Sequence, residues 1–156
     1  MTIIFEGASP KEEKAIADIF EQTLTRLNQP KQVEISVTFL DEEEIAQLNE
    51  QYRDEPKETD VLSFPMLDIV AGEILDESFD ADVNLDTGDY ILGDVFICRT
   101  VVEKQAQENG HSDLWEICYL SVHSLLHLLG YDHAEQEEKE TMFNLQDTIL
   151  KESNIQ

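Results

Sequence analysis

Three observations in the amino-acid sequence predict an α+β fold. Five segments space their apolar residues as helices do, three shorter runs read as strands, and no repeat or break in composition divides the 156 residues. A chain of this length buries roughly 70% of the surface it would expose unfolded, enough for a core without staples. It is read as one domain, 1–156.

The first helix spans Pro10 to Asn28, with Ala15, Ile16, Ile19, Phe20, Leu24 and Leu27 at helical spacing and Ser9 and Pro10 as cap and first-turn residue. Val33 to Leu40 alternates Val33, Ile35, Val37 and Phe39 with Glu34, Ser36 and Thr38, the period of a half-exposed strand. Asp41 caps a second helix through Ile45 and Leu48. After the loop Tyr52 to Glu58, Asp60 to Phe64 reads as a short strand stopped by Pro65, and Tyr90 to Ile97 as another, both apolar enough to be central. Arg99 to Glu108 forms a third helix ended by Asn109 and Gly110. Ser112 caps the long apolar helix Asp113 to Leu129, and the last helix runs from about Ala134 to Lys151.

Composition excludes several classes. The apolar fraction of 41% and charged fraction of 29% are those of an ordered domain. Cys98 and Cys118 have no CxxC partner and read as small buried hydrophobes in a reducing compartment. Met1 to Gly7 has neither a basic nor a long apolar region, and nowhere do about 18 apolar residues run together, so a cytoplasmic protein without membrane contact is expected. Ten Lys and Arg against 35 carboxylates give a net charge of −25, which opposes non-specific binding to DNA or anionic membrane. The same charge keeps a protein soluble and suits docking onto basic proteins.

From Asp68 to Asp89 there are eight acidic residues and no basic one. The series Asp80, Asp82, Asn84, Asp86 resembles the start of a calcium loop, but Leu85 and Ile91 stand where such a loop needs glycine and glutamate. An exposed edge strand or hairpin explains the alternation better.

The chemistry concentrates in His123-Ser-Leu-Leu-His127-Leu-Leu-Gly130-Tyr-Asp-His133. Residues four apart share a helix face, so the imidazoles of His123 and His127 converge while the leucines hold the helix in the core. Gly130 can take the left-handed conformation that ends a helix, letting His133 return toward the same point. A lone histidine in such a helix is ordinarily a satisfied core residue; here three of the chain's four fall within eleven positions. Three neutral nitrogens hold a divalent ion, leave a coordination position open and leave its charge uncancelled, the condition under which bound water ionises near neutrality. Zinc suits this set; nickel, cobalt and copper also accept imidazoles. Metzincin proteases space three histidines and a glycine in the same way, but they follow the first histidine with a glutamate base, where this chain has Ser124. A peptidase therefore ranks below other metal hydrolases.

The chain resembles the YbeY-type endoribonucleases, bacterial ribosomal-RNA maturation factors, from Val33 to Leu150. The resemblance rests on Leu48-Asn49 with Tyr52-Arg53, on Thr59 to Pro65, on Leu92-Gly93-Asp94 and on the histidine motif, in which Ser124 replaces the family's glycine. It implies a single α+β domain with a small mixed sheet and about five helices, and zinc on His123, His127 and His133, at a central apolar helix and the loop after it. It implies single-strand-specific RNA cleavage in maturation of the 16S rRNA 3′ end and in ribosome quality control. Arg53 falls on the family's functional arginine, making Arg53 and His123 the catalytic candidates. Beyond the RNA, the implied partners are a ribosomal small-subunit protein or a ribosome-associated GTPase. A metallopeptidase-like hydrolase and a non-enzymatic assembly factor with a structural metal stand as alternatives.

Elementary chemistry fits Arg53: a guanidinium beside a metal grips phosphate bidentately, although an exposed loop arginine is an equally ordinary sight. Lys57 and Arg99 are lesser candidates for a local basic cleft that binds a few nucleotides despite the acidic surface. Asp132 reads as a hydrogen-bond acceptor for an imidazole or as turn chemistry, Asp60 and Asp94 as strand-opening carboxylates or a general base, and Ser63 as a substrate contact or a polar-face residue.

Overall fold

The structure is a computed structural model and describes residues 1–55, 58–76, 79 and 83–155. The elements run β1 (Thr2–Glu6), α1 (Pro10–Arg26), β2 (Val33–Leu40), α2 (Glu42–Arg53), β3 (Val61–Pro65), β4 (Tyr90–Cys98), α3 (Arg99–Asn109), α4 (Asp113–Leu128) and α5 (Gln136–Ser153). The sheet is mixed, in the order β1-β2-β4-β3: β1, β2 and β4 are parallel, and β3 is antiparallel to β4.

The helix starts follow from side-chain chemistry. Ser9 Oγ accepts from the Glu12 N–H at 3.2 Å and Glu12 accepts from the Ser9 N–H at 2.9 Å; Asp41 and Glu44 repeat this reciprocal pair. Ser112 Oγ accepts from the Trp115 N–H at 3.0 Å. Such caps contribute about 1 kcal/mol each by satisfying N–H groups that a helix start leaves unpaired.

Val33, Ile35, Val37, Leu92, Val95 and Ile97 form one sheet face, buried against Ile16 and Phe20 of α1, Val122 and Leu125 of α4, and Met142 and Ile149 of α5. On the opposite face a smaller cluster, Ile45, Leu62 and Cys98, packs with Phe64 and Phe96. Cys98 and Cys118 are buried and unpaired, and burial pushes the Cys118 thiol up to about 12, so both behave as apolar side chains. Among the described residues no helix is long and apolar enough to cross a membrane.

Two strand expectations change. Thr2–Glu6 is a further strand, pairing in parallel with β2 from Thr2–Glu34 to Glu6–Thr38. Its apolar run Ile3-Ile4-Phe5 carries no clean alternation, and β2 rather than its own period draws it into the sheet. β3 is an edge strand, not a central one, as befits a segment with Pro65 at its end and the polar Ser63 within it. Its closeness to β4 depends on a bulge: the register slips between Glu34 and Ile35, and Gly93 stands at φ +143°, where a Cβ would lie 2.2 Å from the Phe64 carbonyl oxygen. In the acidic stretch, Val83 bridges to Tyr90 across a turn through Asn84 and Gly88. Asp80, Asp82 and Lys57 lie outside the described residues.

Candidate metal centre

His123 and His127 sit on successive turns of α4, a helix anchored by the fully buried Leu125, Leu126 and Leu128. The helix ends as its glycine requires. Gly130 adopts φ +95°, its N–H donates to the His127 carbonyl at 3.0 Å, and the Tyr131 N–H donates to the Leu126 carbonyl at 3.0 Å, the paired bonds of a Schellman cap. A Cβ on residue 130 would lie 2.3 Å from the Ile69 carbonyl oxygen, so space as well as dihedral demands glycine. The turned chain brings His133 back, its ring centroid 5.7 Å from that of His123 and 5.2 Å from that of His127. Asp132 accepts the His133 backbone N–H at 2.7 Å, so the bond it makes is turn chemistry rather than a grip on an imidazole.

One ligand atom from each of the three histidines lies within 4.8 Å of the others, a group that could hold a metal ion. The Nε2 atoms of His123 and His127 face each other at 3.1 Å. Two nitrogens each about 2.0–2.1 Å from one tetrahedral ion stand roughly 3.3 Å apart, so the pair needs little adjustment. Burial, reinforced by the neighbouring His123 and His133, holds His127 down at about 4; burial also lowers His123, against the hydrogen bond it donates to Gln146. Both rings are therefore neutral at pH 7, with lone pairs available to a cation.

Gln146 of α5 escaped the sequence reading. It is fully buried, and its Oε1 lies 3.0 Å from His123 Nδ1. An amide oxygen there accepts from Nδ1–H, which leaves the Nε2 lone pair pointing toward His127. The available signal was a glutamine in step with the buried Met142, Ile149 and Leu150 on the apolar face of α5. Phe143, its ring 6.0 Å from His123 and 6.5 Å from His133, walls the same site and was equally missed.

The triad opens into a cleft of about 540 Å³ whose lining includes Arg53, Asp60, Val61, Ser63, Tyr131 and Asp132. Arg53 is the last residue of α2, and Asp54 turns the chain away in the left-handed region at φ +59°. The chain's other arginines are committed elsewhere: Arg26 to Glu152, and Arg99 to Glu12, the Gly7 carbonyl and the Phe39 ring. Arg99 is thus no part of the cleft, and among the described residues Arg53 forms no ion pair. Asp60 Oδ1 accepts the Val61 N–H at 2.8 Å at the mouth of β3. Asp94 is not brought to the site: it pairs with Phe64 across β3 and β4, on the strand face that packs toward Ile45. Ser124 is fully buried and does not line the cleft.

Over residues 6–154 the sequence matches the family model described as Endoribonuclease YbeY. The chain belongs to this endoribonuclease family. Its members are hydrolases, and the likeness read from the sequence motifs is borne out. An endoribonuclease YbeY of Clostridium botulinum is 45% identical over 148 residues, covering 92% of this chain and 89% of that protein. One from Acidothermus cellulolyticus is 40% identical over 145 residues, covering 93% and 85% respectively. A Thermotoga maritima protein of known solution structure is similar to 97% of this chain, with 89% of its own length covered, at a TM-score of 0.60 and 25% identity.

Proposed function

We propose that this chain, as one domain spanning 1–156, is a single-strand-specific, metal-dependent endoribonuclease that matures the 3′ end of 16S ribosomal RNA in the cytoplasm and takes part in ribosome quality control. The observation that carries the reading is the shared cleft: three convergent imidazoles and an uncommitted arginine line one open groove in a member of an endoribonuclease family. His123, His127 and His133 hold the ion, and zinc is the metal that three imidazoles and an open position favour. A divalent ion there supplies Lewis acidity toward water and a phosphoryl oxygen.

The protein groups do the rest. Arg53 clamps the phosphate through its planar fork and stabilises the charge that builds on the phosphoryl oxygens. His123, oriented by Gln146, serves as ligand and fixes the reacting end of the cleft. Asp60 and Ser63 line the same cleft and orient water and the ribose there. Neither alternative survives family membership, and a peptidase would also need a carboxylate where Ser124 lies buried. The net charge of −25 favours a basic docking partner, such as a small-subunit ribosomal protein or a ribosome-associated GTPase, over unaided capture of RNA.

The test is cleavage of a 16S 3′-end fragment by the zinc-loaded protein, with the fragment either single-stranded or annealed to its complement. Cuts confined to the unpaired strand support the reading. Equal cutting of both forms, or none of either with zinc bound, refutes it.

A further inference from the structure

Upstream of the metal-site histidines, His111 just before α4 and two residues of its first turns form a column of rings that the metal chemistry does not use. The His111 and Trp115 rings stack with centroids 3.7 Å apart at 11°, and Trp115 and Tyr119 with centroids 5.2 Å apart at 14°. Trp115 and Tyr119 are half-buried and His111 is exposed, so the column borders solvent rather than closing the core. All three rings line a second cleft of about 610 Å³, and Asp60 lines both this cleft and the one containing the triad. The two clefts therefore share a wall residue, Asp60.

We propose that the His111–Trp115–Tyr119 column is a stacking platform, extended at its end by a nucleobase of the RNA strand whose backbone lies at the histidine cleft. The proposal rests on the endoribonuclease reading and adds to it where the strand runs. At 1.5 Å rise per residue, Tyr119 and Trp115 lie about 6 and 12 Å along the helix from His123, the reach of one or two nucleotides from the cut. The charged walls of the ring cleft, Asp60, Glu108, Glu116 and Asp147, are all carboxylates. They repel phosphate and leave a neutral base as the part of a nucleotide that settles there, while Arg53 lies in the histidine cleft to take the phosphate. Stacking on aromatic faces is how single strands are held without reading sequence, and duplexed bases have no free face to offer.

Trp115 is the chain's single tryptophan, so its fluorescence reports this subsite alone. The zinc-loaded protein is titrated by stopped flow, read before cleavage proceeds, with a single-stranded oligoadenylate and with an abasic strand of equal phosphate number. Saturable quenching by the first and none by the second is expected. With a cleavable single strand, Trp115→Leu raises KM about 5- to 100-fold, the loss falling on KM rather than kcat, and Trp115→Phe recovers most of it. His111→Ala, a change at an exposed position, raises KM in the same direction. Equal quenching by the abasic strand, or wild-type KM in both Trp115→Leu and His111→Ala while the wild type cuts RNA, overturns the subsite and leaves the nuclease standing. A wild type that holds zinc yet neither binds nor cuts RNA overturns both.

Discussion

At the scale of single residues, the site is governed by who holds a proton and who lacks a partner. Gln146 orients His123, so Gln146→Leu is expected to weaken metal binding about 10- to 100-fold with the fold intact, measured by competition with a chromogenic chelator. His127 titrates near 6.5 when unfolded and near 4 in the fold. Between those values the unfolded chain binds a proton that the folded chain refuses, so this residue lowers the stability of metal-free protein as pH falls from 6.5 toward 4. Melting temperatures at pH 7.5 and pH 5 should accordingly fall further in the wild type than in His127→Gln. Ser124 is buried and its Oγ has no hydrogen-bond partner among the described residues, so Ser124→Ala is expected to stabilise by about 1 kcal/mol in denaturant unfolding. The histidines were legible in sequence because helix spacing alone brings i and i+4 together. Gln146 was not, because its contact with His123 spans 23 residues and depends on how α5 docks on α4.

At the scale of elements, three devices assemble the cleft: the capped end of α4, the edge position of β3 and the left-handed exit from α2. The first was readable, since a glycine after a leucine-rich helix is a stop signal whatever the fold. The second was not: the composition of Asp60 to Pro65 suits a central or an edge strand, and the choice is made by β4, whose Leu92-Gly93 bulge lets β3 close against it. The N-terminal strand was lost for a related reason, its short apolar run being shaped by pairing with β2. Gly130→Ala should both strain the φ +95° position and collide with Ile69, losing about 2–4 kcal/mol of stability and most metal affinity. Thermal denaturation with and without zinc measures both losses, and a variant of wild-type stability would contradict the account of this turn.

At the scale of the whole molecule, composition and site pull in opposite directions. A chain of net charge −25 repels polyanions over most of its surface, and one uncommitted arginine lines the histidine cleft. Few phosphates are neutralised on binding, so affinity for single-stranded RNA is expected to be weak and to fall with salt only gently, with a slope near that of one or two contacts. A slope of many contacts would contradict this expectation.

The most direct measurement compares bound metal and RNA cleavage in the wild type, His127→Ala and Arg53→Ala. The account predicts that His127→Ala loses both metal and activity. Arg53→Ala keeps its metal but loses about 10²- to 10³-fold in activity, the cost of removing one donor from the site of charge development. Equal cleavage by all three proteins, or a wild type that binds no divalent metal when reconstituted, would contradict it.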